Sequence, residues 1–412
     1  MPAHTSIEVM SPVGSWESLQ AAIQGGANAI YFGIEQLNMR ARSSNNFTIE
    51  DLKTIGEKCQ KHSIKTYLTL NTIVYNHDVA LMKNIIAAAK ESGIDSVIAM
   101  DHAAIQYANS IKMPVHISTQ LNITNFETVK FYSTFADVMV LSRELTLMQI
   151  EQICTQIVTE DVRGPGGELV KIEIFVHGAL CMAVSGKCYL SLGSHNSSAN
   201  RGACKQNCRR KYTVTDEEGN AFEIDNEYIM SPQDLCTIGF MDKVIKAGVS
   251  VLKIEGRSKG PDYVKETAQC YSEARDAVLD GTFSPEKVEI WMERLSNVYN
   301  RGFWGGYYLG KKMGEWTDSA GSKAKRRKKY IGDGVKYFGK IGIGEFKLLQ
   351  GQLSKGDAIM ITGPTTGIQE MVVESIRVEN KDVEKVGKGV NFSMPVGFKI
   401  RNSDKLFIVT EG

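Results

Sequence analysis

Five of the eight cysteines in this chain lie within one stretch of the sequence. They are Cys181, Cys188, Cys204, Cys208 and Cys236. Thiols gathered at close spacing are typical of metal binding or of redox chemistry. Because no signal peptide is recognisable, we expect a cytoplasmic protein, in which thiols stay reduced and structural disulfides are rare. The cysteine-rich stretch is therefore the first candidate for a functional site.

The spacing of these cysteines argues against some kinds of metal or redox site but does not single out one. Six residues separate Cys181 from Cys188, and three separate Cys204 from Cys208. No pair has the two-residue spacing of a zinc ribbon or of a thioredoxin motif. An iron–sulfur cluster accepts irregular spacing from a long loop. From the spacing alone, a cluster, a structural zinc ion and reduced thiols without a ligand all remain open.

A second set of candidate residues stands near the ends of predicted strands. The candidate catalytic residues are Asn71, His116, Gln120, Glu144, His177 and Glu255. The candidate substrate-binding residues are Arg40, Arg42, Arg143, Lys253 and Arg257. Guanidinium groups bind carboxylates through two hydrogen bonds, so these residues predict a pocket for a small anion. Each residue also has an ordinary explanation, as a helix cap, a surface ion pair or, for the two histidines, a hydrogen-bonded core residue.

Short apolar, β-branched runs alternate with helical segments over the first two thirds of the chain. The predicted strands are Ile7–Ser11, Ala29–Gly33, Lys65–Asn71, Ser96–Met100, Pro114–Ser118, Asp137–Leu141, Ile172–His177 and Val249–Glu255. This alternation is typical of a parallel sheet built from βαβ units. Eight units favour a (β/α)₈ TIM-like barrel, although an open doubly wound sheet is also compatible. In such a barrel the polar strand ends meet at one face, where barrel enzymes have their active sites.

The domain organisation follows from the lengths of the intervals. The interval 178–249, after the seventh strand, is far longer than the others and carries the cysteines. We therefore predict a barrel over residues 1–300 with this cysteine-bearing insertion. Residues 301–332 form a predicted linker with a basic run, and alternating strands with glycine turns predict a small all-β barrel domain over 333–412.

Composition limits the partners. Apolar residues make up 42% of the chain and charged residues 23%, as in ordinary globular proteins. No apolar stretch is long enough to cross a bilayer, so no membrane partner is expected. A net charge of +1 does not indicate nucleic acid binding by itself. Two basic patches, at 208–211 and 323–329, would suit an RNA backbone, and the second is equally explained as a solvated linker.

The segment from Glu173 to Ser191, which contains Cys181, Gly186 and Cys188, is similar to the signature of the collagenase-like peptidase family, historically of unknown catalytic type. The likeness extends to further motifs: Met10–Gly14, Asn38–Arg42, His116–Gln120, Leu141–Leu145, Arg201–Arg209 and Leu252–Arg257. Within this family the chain most resembles, in length and in its carboxyl-terminal β-domain, the prephenate-dependent tRNA 5-hydroxyuridine synthases.

The resemblance implies a [4Fe-4S] cluster bound by four cysteines. The best matches are Cys181, Cys188, Cys204 and Cys236, with Cys208 as a substitute for one of them. It also implies tRNA as the substrate, hydroxylation of the wobble uridine at C5, prephenate as an anionic co-substrate and a related paralogue as a partner protein. The alternatives are a collagenase-like peptidase, an rRNA base hydroxylase and a non-enzymatic RNA-binding protein with a structural cluster.

Overall fold

The structure, a computed structural model, describes residues 7–42, 46–219, 228–311 and 314–412. Its larger part is a closed barrel of eight parallel strands. These strands are β1 (Glu8–Val13), β2 (Ala29–Phe32), β3 (Lys65–Leu70), β4 (Ser96–Ala99), β5 (Val115–Ile117), β6 (Val138–Val140), β7 (Lys171–Ala179) and β9 (Val251–Ile254). Strand β9 pairs in parallel with both β1 and β7, which closes the barrel. The predicted (β/α)₈ barrel is confirmed.

Helices cover the outside of the barrel. They are α1 (Trp16–Gln24), α2 (Asp51–Gln60), α3 (Val79–Glu91), α4 (His102–Ser110), α5 (Phe126–Tyr132), α6 (Leu147–Thr159), α8 (Met241–Lys246), α9 (Pro261–Leu279) and α10 (Pro285–Ser296). Several begin at polar caps, as where the hydroxyl of Ser15 accepts a hydrogen bond from the backbone N–H of Ser18 at 3.2 Å. Their buried faces pack on apolar side chains of the strands, and both faces of the strands are buried, which is why most strand residues are apolar.

The cysteine-bearing insertion folds back onto the carboxyl end of the barrel. It contains the short helix α7 (Leu190–His195) and strand β8 (Asp234–Cys236). Strand β8 pairs antiparallel with the last residues of β7, with Cys236 opposite His177. Strand β10 (Phe303–Trp304) lies beside β8 in parallel. This pairing holds the insertion over the face where the polar strand ends meet.

The carboxyl-terminal part is a separate antiparallel β-domain. Its strands are β11 (Arg326–Phe338), β12 (Ile343–Leu348), β13 (Gln352–Ser354), β14 (Ala358–Gly363), β15 (Gly367–Val372), β16 (Ile376–Val378), β17 (Lys381–Val383), β18 (Lys385–Gly387), β19 (Asn391–Pro395) and β20 (Lys405–Glu411). Eight of them form one sheet in the order β15-β14-β20-β11-β12-β19-β16-β17, and β13 pairs with β18. The domain has its own core around Phe346 and Phe392.

The basic run differs from the predicted linker. Residues 326–329 belong to β11 and pair with residues 408–411 of β20. The β-domain therefore begins before the predicted position 333, because the backbone of these lysines and arginines pairs with the last strand of the domain. The domain docks on α1, where the side chain of Gln24 donates to the carbonyl of Thr366 at 3.2 Å and accepts from the backbone N–H of Ile368 at 2.9 Å. Within the described ranges, no helix combines the length and the apolar character needed to span a membrane.

Candidate active site

A cavity of about 220 Å³ lies between the carboxyl ends of the barrel strands and the insertion. The barrel contributes side chains such as Tyr31, Thr69 and Phe175, and the insertion contributes thiols and small residues. The position follows from the fold, since β7 leads directly into the insertion and β8 returns it to the barrel. This is the face at which barrel enzymes have their active sites.

Four thiols line this cavity: those of Cys181, Cys188, Cys204 and Cys208. Burial raises the pKa of the Cys208 thiol, Arg209 lowers it, and the other three thiols add to the rise through their charge. As placed, the described His, Cys, Asp and Glu side chains form no group of three or more that would hold a metal ion. The donor type and the shared cavity fit an iron–sulfur cluster, and the thiols would have to draw together to bind it.

Cys236 lies elsewhere. Its side chain is buried in β8, where the sulfur is 3.8 Å from the hydroxyl of Tyr271 and 3.8 Å from the sulfur of Met292. Burial raises the pKa of this thiol to about 11. Cys236 is not among the residues that line the cavity. Of the two cysteines that the sequence left as alternatives, Cys208 is the one that the fold brings to the other three.

A buried ion pair lies below the cavity. Glu173 has no exposed surface, and its carboxylate accepts a hydrogen bond from the ammonium of Lys253 at 2.6 Å. The imidazole Nδ1 of His116 is 3.3 Å from the other carboxylate oxygen. Burial opposes ionisation of Glu173, but Lys253 and His116 outweigh it, so the pKa of this carboxyl lies below its usual value. Lys253 reaches the cavity from this pair, whereas His116 does not line it.

A second ion pair lies at the cavity wall. The guanidinium of Arg40 donates to Glu255 at 2.9 Å. Burial opposes ionisation of Glu255, but Arg40 and Lys259 outweigh it and keep the pKa of this carboxyl low. The same contact raises the pKa of Arg40. Both residues line the cavity, as the sequence predicts.

Positive charge exceeds negative charge around the cavity. Arg257 is buried and donates to neutral oxygens, the Asn38 side-chain carbonyl at 3.1 Å and the Thr69 hydroxyl at 2.7 Å. Burial lowers the pKa of Arg257 to about 10, and burial together with Arg301 lowers the pKa of Lys259 to about 8. Cationic lining residues are Arg40, Arg143, Arg209, Lys253, Arg257, Lys259 and Arg301. Glu255 is the one carboxylate among the described lining residues, and two carboxylates behind the lining, Glu173 and Asp234, pair with Lys253 and Arg301. Positive charge still exceeds negative charge, so the cavity favours an anionic ligand.

Neutral polar groups line another part of the wall. The side-chain amide of Asn71 donates to the Ser118 hydroxyl at 3.4 Å and to the Gln120 carbonyl at 3.3 Å. The carbonyl of Asn71 accepts from the backbone N–H of Met39 at 3.2 Å. The hydroxyl oxygen of Thr119 is buried and has no hydrogen-bond partner in the part of the chain that the structure describes. A bound ligand would supply that partner, since buried polar groups are normally paired.

Besides Cys236, four predicted site residues do not line the cavity. His116 lies below it, as described. His177 is buried among aromatic rings with Nδ1 3.3 Å from the hydroxyl of Tyr271, and burial lowers its pKa to about 3. It is therefore a neutral, hydrogen-bonded core residue. Glu144, which accepts from the Ser142 hydroxyl, and Arg42 are exposed outside the cavity.

The other predicted residues converge on the cavity: Asn71, Gln120, Glu255, Arg40, Arg143, Lys253 and Arg257. Arg143 also donates to the Ser185 hydroxyl at 2.8 Å, which ties the barrel to the insertion. Lys259, Tyr31 and Arg301 also line the cavity and were not predicted from the sequence. Lys259 had a signal, since it follows Arg257 by two residues in the same strand-end loop. Glu173 was missed as a site residue because it lies inside a strand, although a carboxylate in an apolar run is itself unusual.

The fold and the cavity define a class, a (β/α)₈ barrel protein whose candidate site lies at the carboxyl ends of its strands. The chain belongs to peptidase family U32, because the model of that family matches residues 14–318. The resemblance drawn from the signature between Glu173 and Ser191 is confirmed.

Proteins that are similar to this chain in sequence carry different names. A protein named collagenase from Porphyromonas gingivalis is 56% identical over 97% of this chain and 97% of its own length. The tRNA hydroxylation protein P1 of Bacillus subtilis is 32% identical over 71% of this chain and 69% of its own length. The 23S rRNA 5-hydroxycytidine C2501 synthase of Escherichia coli is 32% identical over 66% of this chain and 40% of its own length. The family thus includes proteins named for proteolysis and proteins named for RNA hydroxylation.

Proposed function

We propose that this chain hydroxylates a base of tRNA, at C5 of the wobble uridine, with prephenate as the anionic co-substrate and an external two-electron oxidant. The oxidant takes up the two electrons that are released, together with two protons, when C5–H becomes C5–OH with oxygen from water. The observation that carries the proposal is one cavity that combines four thiols with seven cationic side chains and one carboxylate. Two relatives, one named a tRNA hydroxylation protein and one named a 23S rRNA 5-hydroxycytidine synthase, support the same reaction class. The combination suits a site where a redox cofactor, a small polyanion and a base meet.

The cationic residues would bind the co-substrate. Prephenate carries two carboxylates, and guanidinium groups bind carboxylates in pairs of hydrogen bonds. Arg257 is the best placed of these residues, since its partners are neutral oxygens and burial disfavours its charge. A bound carboxylate would neutralise this buried charge. Arg40 already has a carboxylate partner and would mainly hold Glu255 in place.

Cys181, Cys188, Cys204 and Cys208 would bind the cluster, which when bound supplies a centre able to exchange single electrons. The target base would enter from the mouth after leaving its stack, as bases do in enzymes that modify them. Asn71, Gln120 and the unpaired hydroxyl of Thr119 offer donors and acceptors for its polar edge. These neutral groups lie on the same cavity wall and would set the orientation of the base.

The test is mass spectrometry of nucleosides from tRNA of a deletion strain. We expect 5-hydroxyuridine-derived nucleosides to vanish and to return with the wild-type gene. The variant Arg257→Lys keeps the charge but cannot bind a carboxylate through two parallel hydrogen bonds. It should therefore restore about tenfold less of the 5-hydroxyuridine-derived nucleosides than the wild-type gene does. The exposed Arg163, which pairs with Asp161 at 2.8 Å, provides the control Arg163→Lys with full restoration. Unchanged tRNA digests would overturn the tRNA assignment, and loss of 5-hydroxycytidine from rRNA would assign rRNA instead.

Proteolysis is the second candidate, favoured by the relative that is 56% identical and named collagenase. In the insertion, the hydroxyl of Ser194 is 2.7 Å from Nδ1 of His195. The same hydroxyl lies 2.5 Å from the carbonyl oxygen of Leu190, which competes for its proton. Cleavage of gelatin by homogeneous protein, abolished by Ser194→Ala, would support this candidate. Absence of cleavage by the wild-type protein would remove it.

A further inference from the structure

The mouth of the cavity carries exposed apolar side chains. They belong to Met182, Val184, Tyr189, Leu190 and Leu192 of the insertion. Tyr189 is the most exposed of them, at 78%. Its neighbours in sequence, Cys188 and Leu190, both line the cavity, whereas Tyr189 itself lies outside the lining and is exposed to solvent. A large aromatic ring exposed beside a cavity is available to a ligand.

The part of the sequence that forms this surface contains basic residues but no acidic ones. Between Glu173 and Asp216 the chain contains no aspartate or glutamate and six lysines or arginines. These are Lys187, Arg201, Lys205, Arg209, Arg210 and Lys211. Arg201 pairs with Asp78, and Arg209 donates to backbone and hydroxyl oxygens inside the insertion. Lys187, Lys205 and Arg210 are exposed. We call residues 182–192 and 205–211 the rim.

We propose that the rim binds unpaired nucleotides next to the target base, with the ring of Tyr189 stacked on one of those bases. The inference rests on the proposed function, since it extends the same site outward along the RNA. Exposed aromatic rings interleaved with cations are typical of surfaces that bind single-stranded nucleic acid. A surface that binds a second copy of this chain would need apolar side chains but no basic segment free of acidic residues. The reason is that a chain with a net charge of +1 is not a negatively charged partner.

The contributions of the ring and of the cations can be separated. Stacking on an aromatic ring is nearly independent of the base, so it would position the strand rather than select its sequence. Lys187, Lys205 and Arg210 would contact phosphates, and their contribution should weaken with salt. The cavity would then select the base that is modified, while the rim holds its neighbours. This division assigns affinity to the rim and specificity to the cavity wall.

The experiment measures binding of a short, unstructured, fluorescently labelled RNA oligonucleotide to the full chain by anisotropy. We expect Tyr189→Ala to weaken binding about 5- to 100-fold and Tyr189→Phe to retain it, because phenylalanine keeps the ring. The matched control is Phe131→Ala, which removes an aromatic side chain that is 57% exposed on α5, away from the cavity. This control should bind like the wild type.

The cations are tested by the salt dependence of the same binding. The triple variant Lys187→Ala, Lys205→Ala, Arg210→Ala should reduce the slope of log affinity against log salt by about 2, since each phosphate contact on a single strand contributes about 0.7. The triple control Lys381→Ala, Lys385→Ala, Lys388→Ala removes three exposed lysines of the β-domain and should leave the slope unchanged.

The outcomes distinguish this inference from the proposed function. Equal RNA binding by wild type and Tyr189→Ala overturns the inference, while the tRNA digests still test the function. Equal affinity of the rim for a polyglutamate peptide would assign it to an acidic protein segment and also overturn the inference. If wild-type protein binds no RNA and the digests of the deletion strain are unchanged, the proposed function fails as well.

Discussion

At the scale of single residues, Glu173 shows how the site depends on buried charge. Its carboxylate has no contact with solvent and is balanced by Lys253 at 2.6 Å. Removing one partner of such a pair leaves an uncompensated charge in a medium that solvates it poorly. Lys253 extends into the cavity from this pair, so the stability of the barrel and the charge of the site are linked.

Glu173→Gln should lower the free energy of unfolding by about 3 kcal/mol at neutral pH, because the ammonium of Lys253 loses its counter-charge. The folded-state pKa of Glu173 lies below the ordinary value of 4.5. Its contribution is therefore fully present above about pH 4.5 and is lost as the pH falls through the lower, folded-state value. Urea denaturation of both proteins over this pH range measures the difference.

The control for Glu173 is an exposed ion pair. Lys130 and Glu160 are 2.8 Å apart on the surface, with 52% and 43% of their side chains exposed. Glu160→Gln should cost less than about 1 kcal/mol, because water already screens the pair. The explanation by a buried ion pair is wrong if Glu173→Gln and Glu160→Gln lower the free energy of unfolding equally. It is also wrong if the loss caused by Glu173→Gln grows toward acid pH.

The thiols provide the second prediction at this scale. Cys208→Ser should abolish the iron content and the brown colour of protein purified without oxygen, whereas Cys236→Ser should retain both. The reason is position, since Cys208 lines the cavity with three other thiols and Cys236 packs against Tyr271 and Met292. Iron and sulfide analysis measures the result. Retention by Cys208→Ser together with loss by Cys236→Ser would reverse the ligand assignment.

At the scale of elements, the junction of β7 and β8 positions the insertion. Gly178 stands at this junction with a φ of +100°, a region that side chains other than that of glycine rarely adopt. A Cβ atom there would lie 2.3 Å from the carbonyl oxygen of Glu255. The close approach of two backbones lets β7 pair with β9 and β8 at once.

Gly178→Ala should therefore destabilise the protein by about 3 kcal/mol or more, from the unfavourable φ and from the clash together. Thermal unfolding measures the loss. Gly167→Ala is the matched control, because Gly167 has a φ of +82° but no other atom would lie within 4 Å of the added Cβ atom. Gly167→Ala should lower the free energy of unfolding by about 1–2 kcal/mol. Equal costs at the two positions would show that the clash contributes nothing.

At the scale of the whole molecule, the β-domain is tied to the outside of the barrel, on helix α1, whereas the cavity lies at the carboxyl ends of the strands. Gln24 makes two hydrogen bonds to the segment that contains Thr366 and Ile368. Lys328 of β11 also contacts Asp262 of α9. Met360, Ile368 and Val409 of the β-domain also pack into the apolar cluster of the barrel, so polar and apolar contacts together hold the two domains in one arrangement.

Gln24→Ala should weaken this docking by about 1–2 kcal/mol, because two backbone groups of β15 and its turn lose their partners. Hydrogen exchange at the amide of Ile368 should become faster, while exchange within the barrel strands stays the same. Gln152→Ala removes an exposed glutamine from α6 and serves as the control. Unchanged exchange at Ile368 would show that Gln24 does not hold the domain.

Much of the fold could be predicted from the sequence alone. The eight apolar runs, their alternation with helices and the long interval after the seventh strand all follow from local pattern, because burial on both faces demands continuous apolar residues. The same pattern placed Arg257, Lys253 and Glu255 at strand ends, where the barrel face brings them together. The cap of α1 at Ser15 likewise depends only on neighbouring residues, because capping is a local interaction.

Only the tertiary structure decided which of these residues share a site. His177 follows the strand pattern as closely as Lys253 does, yet it is buried beside Tyr271 with its pKa near 3. Cys236 belongs to the same cysteine-rich stretch as Cys181, yet the antiparallel pairing of β8 with β7 buries it outside the cavity. Sequence spacing limits distance along the chain, whereas chemistry depends on distance and solvent exposure in space, which the packing of remote segments determines.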